Sequence, residues 1–204
     1  MAAEGVALSL TGRRQDRLDE LSSELGDRVL GTAILDLADP RAPAGVVAEA
    51  AGRQDLDLLV IASGVVAFGT VEELDDDDLD ELFLVNTLGP ARVLRAAVPV
   101  LGEGSTVVLL SAIVADRPTA GMAAYSASKA ALTAFGRALQ HELRRRRVRV
   151  LDVRPPHTET GLAGRPVAGT APALGTGKDP QAVADRVVRA VLDGERDLPA
   201  DAFA

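Results

Sequence analysis

Cysteine is absent from this chain of 204 residues, so neither a disulfide nor a thiolate-held metal contributes to it. Histidine occurs only as His141 and His157, too few for a multi-histidine metal centre, and no metal site is expected. Aromatic residues make up 2% of the chain and tryptophan is missing; the core therefore has to be aliphatic. Long hydrophobic runs are lacking too. The longest apolar blocks, around 57–68 and 106–115, fall short of the roughly 20 residues that a bilayer span requires. A net charge of −8 leaves no excess of positive charge for phosphate backbones, which argues against nucleic acid as a partner. The N-terminus "MAAEGVALSL" carries an early Glu4 and no basic segment, so it is a poor secretion signal and a cytoplasmic location is expected. Lysine is nearly absent: Lys129 and Lys178 stand against twenty arginines.

What is present is an alternation of strand-length apolar runs with helix-length amphipathic ones. "VALSLT" (6–11), "VLGTAIL" (29–35), "LDLLVIA" (56–62), "TVVLLS" (106–111) and "VRVLDV" (148–153) read as strands. Helical patterns lie at about 14–25, 42–53, 76–99 and 123–145. This order predicts one α/β domain over 1–204, with right-handed crossovers and a doubly wound, mainly parallel sheet covered on both faces. Residues 155–178 are rich in Pro, Gly, Ala and Thr; a loop of that length is usually functional, a substrate lid here, or else a surface linker. Asp179-Pro180 predicts the N-terminus of a helix over about 180–193, and "RDLPADAF" offers a last short strand. The acids of "DDDDLDE" (75–81) and the basic "RRRR" (144–147) read as complements of helix dipoles, and His157 as a loop histidine.

The only tyrosine, Tyr125, precedes Lys129 by four residues in "YSASK", which places both side chains on one helical face. A phenol ionises near ~10, and a neighbouring ammonium favours its anion; a partly buried tyrosine beside a snorkelling lysine is the plain alternative. Ser111 stands at a strand end, where ligands bind in open α/β sheets. Asn86 falls on an apolar helical stripe four residues before Pro90, whose missing N–H deprives the Asn86 carbonyl of its helical partner; an amide satisfied in the core fits equally well. A Ser-Lys hydrolase built on Ser111 and Lys129 has no oxyanion motif to accompany it.

Taken together, "YSASK", the serine-bearing strand end, Asn86-x-x-Gly89 and the Pro-rich turn after Val153 resemble the short-chain dehydrogenase/reductase family, over residues from about 5 to 203. The resemblance implies a Rossmann-like fold and an NAD(P)-dependent oxidoreductase that interconverts a carbonyl and an alcohol by hydride transfer. It implies Tyr125 as general acid/base, Lys129 as the group that lowers the tyrosine pKa and binds the nicotinamide ribose, Asn86 as holder of a relay water, and Ser111 as a substrate contact. On the cofactor side it implies Asp36 at the adenine, Gly64 as the cofactor-binding glycine after the family's fourth strand, and Thr160 over the carboxamide. Arg13 and Arg14, with no acid at 11 or 12, resemble members preferring NADP over NAD, and arginine suits a 2′-phosphate. The implied partners are a small carbonyl or alcohol and further copies of the chain, a homodimer or homotetramer joined through the helices at 76–99 and 123–145.

The chain departs from the family pattern at Ala62 and Ser63, which replace more usual residues, and in three further places. The family serine lies thirteen residues before the tyrosine, where this chain has Ala112, and Ser111 serves only if the strand has ended or bulged there. Pro156 replaces a glycine. The glycine-rich turn that cradles a pyrophosphate at a helix N-terminus has no counterpart, as if the first strand and most of the first helix were missing through a misassigned start or a truncated gene. Weak NADP binding is expected, and the sheet is expected either to show two unpaired edges at a gap or to close directly across it. A non-catalytic relative, kept for binding or oligomer assembly, is the alternative to the enzyme.

Overall fold

The computed structural model describes residues 5–204; Glu4, used above to judge the N-terminus, lies outside the described residues. Strands and helices alternate as the apolar periodicity predicts. They are β1 (Leu8–Gly12), α1 (Gln15–Leu25), β2 (Val29–Ile34), α2 (Ala42–Arg53), β3 (Leu56–Ile61), α3 (Asp76–Phe83), α4 (Gly89–Ala97), β4 (Leu101–Leu110), α5 (Ala123–Leu143), β5 (Arg149–Val153), α6 (Pro180–Asp193) and β6 (Asp197–Leu198). All strand pairs are parallel. The sheet is in two parts, β1–β2 and β3–β4–β5–β6. Of the two sheet outcomes expected, the open one is found, since β1 and β3 are not hydrogen-bonded to each other.

The larger part holds the core. Val107, Leu109 and Val150 pack on one face with Leu132 and Leu139 of α5 and Leu94 of α4. Val108, Leu151 and Val153 pack on the other face with Val183 and Ala190 of α6. This is the two-sided burial that continuous Val/Leu strands demand. Gly136 lets α5 lie close to the sheet, since a Cβ there would come within 2.7 Å of Leu109 Cδ1.

Charged segments end and begin helices. Asp75 caps α3 by accepting from the Asp78 amide at 2.9 Å, and Asp179 caps α6 by accepting from the Ala182 amide at 2.9 Å, with Pro180 at the first position. Arg146 donates to the carbonyls of Val98 and Leu101, each at 2.7 Å, which pins the end of α5 to the start of β4. The acidic and basic runs are thus spent on helix ends and on holding them.

Two elements differ from the expected boundaries. The helix at 76–99 is interrupted by a π-turn at Leu84–Leu88, closed by Gly89 N–H donating to the Leu84 carbonyl. Pro90 removes the next regular donor, and a wider turn is the local answer to that loss. β4 starts at Leu101 rather than 106, because Leu101 is itself buried in the core.

Candidate active site

A cleft of about 620 Å³ opens along the carboxyl ends of β1 to β5. It is lined by Gly12 and Arg13 at the end of β1, Leu35 to Leu37 after β2, Ala62 to Gly64 after β3, and Leu110 to Val114 at the end of β4, with Tyr125 and Lys129 from α5. Residues of the 155–178 loop close it from above. That loop is tied down: Val167 N–H donates to the Val66 carbonyl at 2.8 Å and Phe68 N–H to the Ala168 carbonyl at 3.0 Å. Gly169 permits this contact, since a Cβ would collide with the Phe68 carbonyl oxygen. The other end of the loop is closed by Lys178 N–H to the His157 carbonyl at 2.8 Å.

The tyrosine and lysine, one helical turn apart, both line this cleft. Lys129 is buried, and its Nζ donates to the Leu110 carbonyl at 3.2 Å. An ammonium has three donors, so one protein acceptor leaves others for a ligand, the donor set that a ribose diol would take. Burial pushes Lys129 down to about 8. Burial also pushes Tyr125 up, to about 12. The lowering by the lysine that the resemblance implies is opposed here by burial. Removal of the phenol from water disfavours its anion, and no hydrogen bond between Nζ and the hydroxyl is present to oppose that effect.

Behind the pair stands Asn86, fully buried in the π-turn. Its Oδ1 accepts from the Val65 amide at 2.9 Å; its Nδ2 donates to the Val65 carbonyl at 2.9 Å and to Ser128 Oγ at 3.0 Å. Ser128 Oγ in turn donates to the Tyr125 carbonyl at 2.8 Å. The side-chain amide thus clamps the segment after β3 to the helix carrying the tyrosine, which is the core-satisfied reading of this asparagine. Its main-chain carbonyl still faces a proline four residues on. Gly64 is adjacent: a Cβ there would lie 3.0 Å from Lys129 Nζ and 3.1 Å from Asn86 Oδ1, so glycine keeps this part of the floor open.

Ser111 lines the cleft at the strand end, with its hydroxyl turned into the protein. β4 has ended at Leu110, as a substrate contact would need, but the Ser111 hydroxyl donates to the Lys129 carbonyl at 2.9 Å and accepts from Thr133 Oγ1 at 2.9 Å. Its hydrogen is committed inside the protein. Thr133 Oγ1 also lies 3.3 Å from Asp152 Oδ1, and Asp152 pairs with the buried Arg154, which also binds Asp116 and Asp197. Burial raises the Asp152 carboxyl, with Arg154 opposing. Ser111 therefore begins a buried polar chain joining α5 to β5. Nothing in strand or helix periodicity announces that chain, because Thr133 and Asp152 are unremarkable in sequence. Ala112, beside it, presents only a methyl group to the cleft.

The cofactor-side residues divide. Arg13, Asp36, Gly64 and Thr160 line the cleft, and Asp36 Oδ1 accepts from the Ala38 amide at 3.0 Å. Arg14 does not line it; it pairs with Asp16 on the exposed start of α1. Thr158 and His157, not assigned a cofactor role above, line the cleft as well. The residues fit a nicotinamide dinucleotide at both ends, with open backbone and a lysine at one and Arg13 and Asp36 at the other. Between them, the described residues offer no glycine-rich turn leading into a helix.

Comparison with known proteins agrees with this architecture. The short chain dehydrogenase family model matches residues 1–169. Sulfoacetaldehyde reductase 2 of Chromohalobacter salexigens is 36% identical over 165 residues, 78% of this chain and 66% of that protein; the chain thus spans just under two thirds of that relative's length. A short-chain dehydrogenase from Streptomyces avermitilis superposes with a TM-score of 0.86 at 29% identity, covering 98% of this chain and 82% of that one. The alcohol dehydrogenase of Thermococcus sibiricus, solved with 5-hydroxy-NADP, superposes at 0.84 with 27% identity, covering 98% and 85%. With a family match over most of its length and the Tyr125–Lys129 pair at the mouth of a parallel sheet, the chain belongs to the short-chain dehydrogenase/reductase family.

Proposed function

We propose that this protein is an NAD(P)-dependent oxidoreductase, preferring NADP, that interconverts a carbonyl and an alcohol with Tyr125 as the acid/base. The observation that carries the reading is the presentation of Tyr125 and the buried Lys129, one turn apart, in the cleft at the strand ends. A bound reduced nicotinamide supplies the hydride. Tyr125, held protonated by its burial at about 12, is the proton donor to the carbonyl oxygen as negative charge develops there. An alkoxide is the stronger base, so that transfer is downhill. Lys129 binds the ribose hydroxyls through its remaining donors and places positive charge beside the phenolate left behind, which favours that anion once formed. Asn86 and Ser128 hold the tyrosine helix in register with the floor of the cleft, and the Asn86 carbonyl is the site for a relay water. Arg13, rather than Arg14, is the residue for a 2′-phosphate, with Asp36 at the adenine, Gly64 beneath the cofactor and Thr160 over the carboxamide. Oligomers through the helical segments at 76–99 and 123–145 are part of the same reading, supported by the exposed apolar Leu88 and Phe135.

The test is NADPH oxidation with a panel of ketones and aldehydes at millimolar NADPH, alongside calorimetry. Affinity weaker than micromolar is expected, since among the described residues no turn cradles the pyrophosphate. Tyr125→Phe should lower turnover by roughly 10²–10⁴-fold with unchanged melting temperature and NADPH affinity. Turnover that survives this substitution, or a wild-type chain that never oxidises NADPH, would refute the assignment.

A further inference from the structure

Strand order gives the cleft two ends. Gly12, Arg13 and Asp36 lie over β1 and β2; Ile113 and Val114 lie beyond β4, opposite the loop that follows β5. If the dinucleotide runs from the first end to Lys129, the space left to a substrate lies over β4 and β5, beyond Tyr125. Its wall is formed by Phe68, Ile113, Val114, Met122, Leu162 and Ala163, all of which belong to or pack on the aliphatic core.

Three hydroxyls beside this wall are already engaged. The Ser111 hydroxyl donates to the Lys129 carbonyl at 2.9 Å, that of Thr119 to the Arg117 carbonyl at 3.2 Å, and that of Thr158 to the Pro156 carbonyl at 2.9 Å. Arg165, the one arginine on this side, donates from Nε to the Gly161 carbonyl at 3.1 Å and from Nη2 to the Thr160 carbonyl at 3.4 Å, bracing its own loop. His157 leans toward Glu159, 3.6 Å away. For an anionic substrate the wall offers one cation, the exposed Arg165 that is already tied to its own loop, whereas hydrocarbon laid on the wall leaves water at every contact.

We propose that the substrate is an uncharged, apolar ketone or aldehyde, oriented by shape against this wall and by a single polar contact, the Tyr125 hydroxyl at its carbonyl. This rests on the oxidoreductase reading for which group reacts, and it names what the site accepts. Met122 and Leu162 set specificity, and Ala112 widens the pocket where a hydroxyl would otherwise fix the carbonyl.

Tyr125 is the only tyrosine, so ¹³C-tyrosine labelling gives one ring system that reports ligands directly, without turnover. Titrations of 2-octanone and cyclohexanone are compared with acetoacetate, an anionic ketone, with and without NADPH. The uncharged ketones should shift the ring signals saturably and bind at least about tenfold tighter than acetoacetate. Leu162→Asp should weaken 2-octanone binding by about tenfold or more, and Arg165→Ala should change it less than about twofold. Because Leu162→Asp also perturbs the loop, the comparison of ligands on the unaltered protein stands by itself. Acetoacetate binding equally well, loss of binding in Arg165→Ala, or no shift with either uncharged ketone overturns the proposal. Saturable ketone binding without NADPH oxidation would sink the oxidoreductase reading alone; turnover restricted to anionic carbonyls would sink only the substrate class.

Discussion

β1 and β2 form a two-stranded sheet in which no residue is fully buried, whereas β4 and β5 bury most of theirs. The flanking helices repeat the contrast: α1 buries only Leu18, and α5 buries nine residues including Tyr125 and Lys129. A two-stranded sheet is marginal in water without a packed face. The proposed acid/base pair is therefore built on the rigid part of the molecule, and Arg13 and Asp36 on the soft part. Pre-organisation is greatest where a proton must move and least where a ligand's far end would rest, so a bound dinucleotide bridging both parts would itself add stability by mass action.

The largest expected consequence is in hydrogen exchange. Amides of β4 and β5 should exchange only through global unfolding, and those of β1 and β2 through local opening at least about 10³-fold faster. Equal protection in the two parts would erase the distinction. Truncation should follow the same order. Leu151→Ala, at a fully buried site in β5, should cost about 3–4 kcal/mol, and Leu10→Ala, half-buried in β1, about 1 kcal/mol in urea unfolding.

A pH effect of about 3 kcal/mol belongs to the rigid part alone. Lys129 is lowered from 10.5 to about 8, so between those values the unfolded chain holds the extra proton and stability rises with pH. Tyr125 is raised from 10.0 to about 12, so over that span the folded state holds the extra proton and stability falls. Lys129→Met should remove the rise and Tyr125→Phe the fall in alkaline melting curves. With Lys178→Arg, labelled lysine gives a single signal, and a midpoint near 10.5 rather than about 8 would contradict the burial of Lys129. The smallest effect is expected at Ser111. Ser111→Ala should lower stability by about 1–2 kcal/mol and leave the KM for a ketone nearly unchanged; a large rise in KM would return its hydroxyl to the substrate.

Much of this architecture was legible because its cause is periodic. Strand-length runs of Val and Leu separated by amphipathic stretches fall where β1 to β5 are found, and the Asp179-Pro180 start of α6 holds to the residue. The four-residue spacing placed Tyr125 and Lys129 in one cleft. The turn at 84–88 was half visible: Pro90 pointed to a missing donor, while the close approach of Leu37, which leaves no room for a Cβ at Gly89, comes from a residue some fifty positions away and has no local signal. Arg14 is tied to the cofactor by position alone, and in the structure it pairs with Asp16, two residues away, on the exposed surface. Ser111 was placed at the right strand end, yet the direction of its hydroxyl follows from Thr133 and Asp152, which lie 22 and 41 residues further on.

By itself the order of residues determined which segments are strands, which are helices, and that a phenol and an amine share a face, because those are local properties of spacing and side-chain shape. Only the assembled structure decided that the sheet opens between β1 and β3, that the loop at 155–178 is pinned to Val66 and Phe68, and that burial raises the tyrosine's proton affinity. Solvent exclusion and the partner of a buried hydroxyl are set by groups distant in the chain, and no local pattern records them.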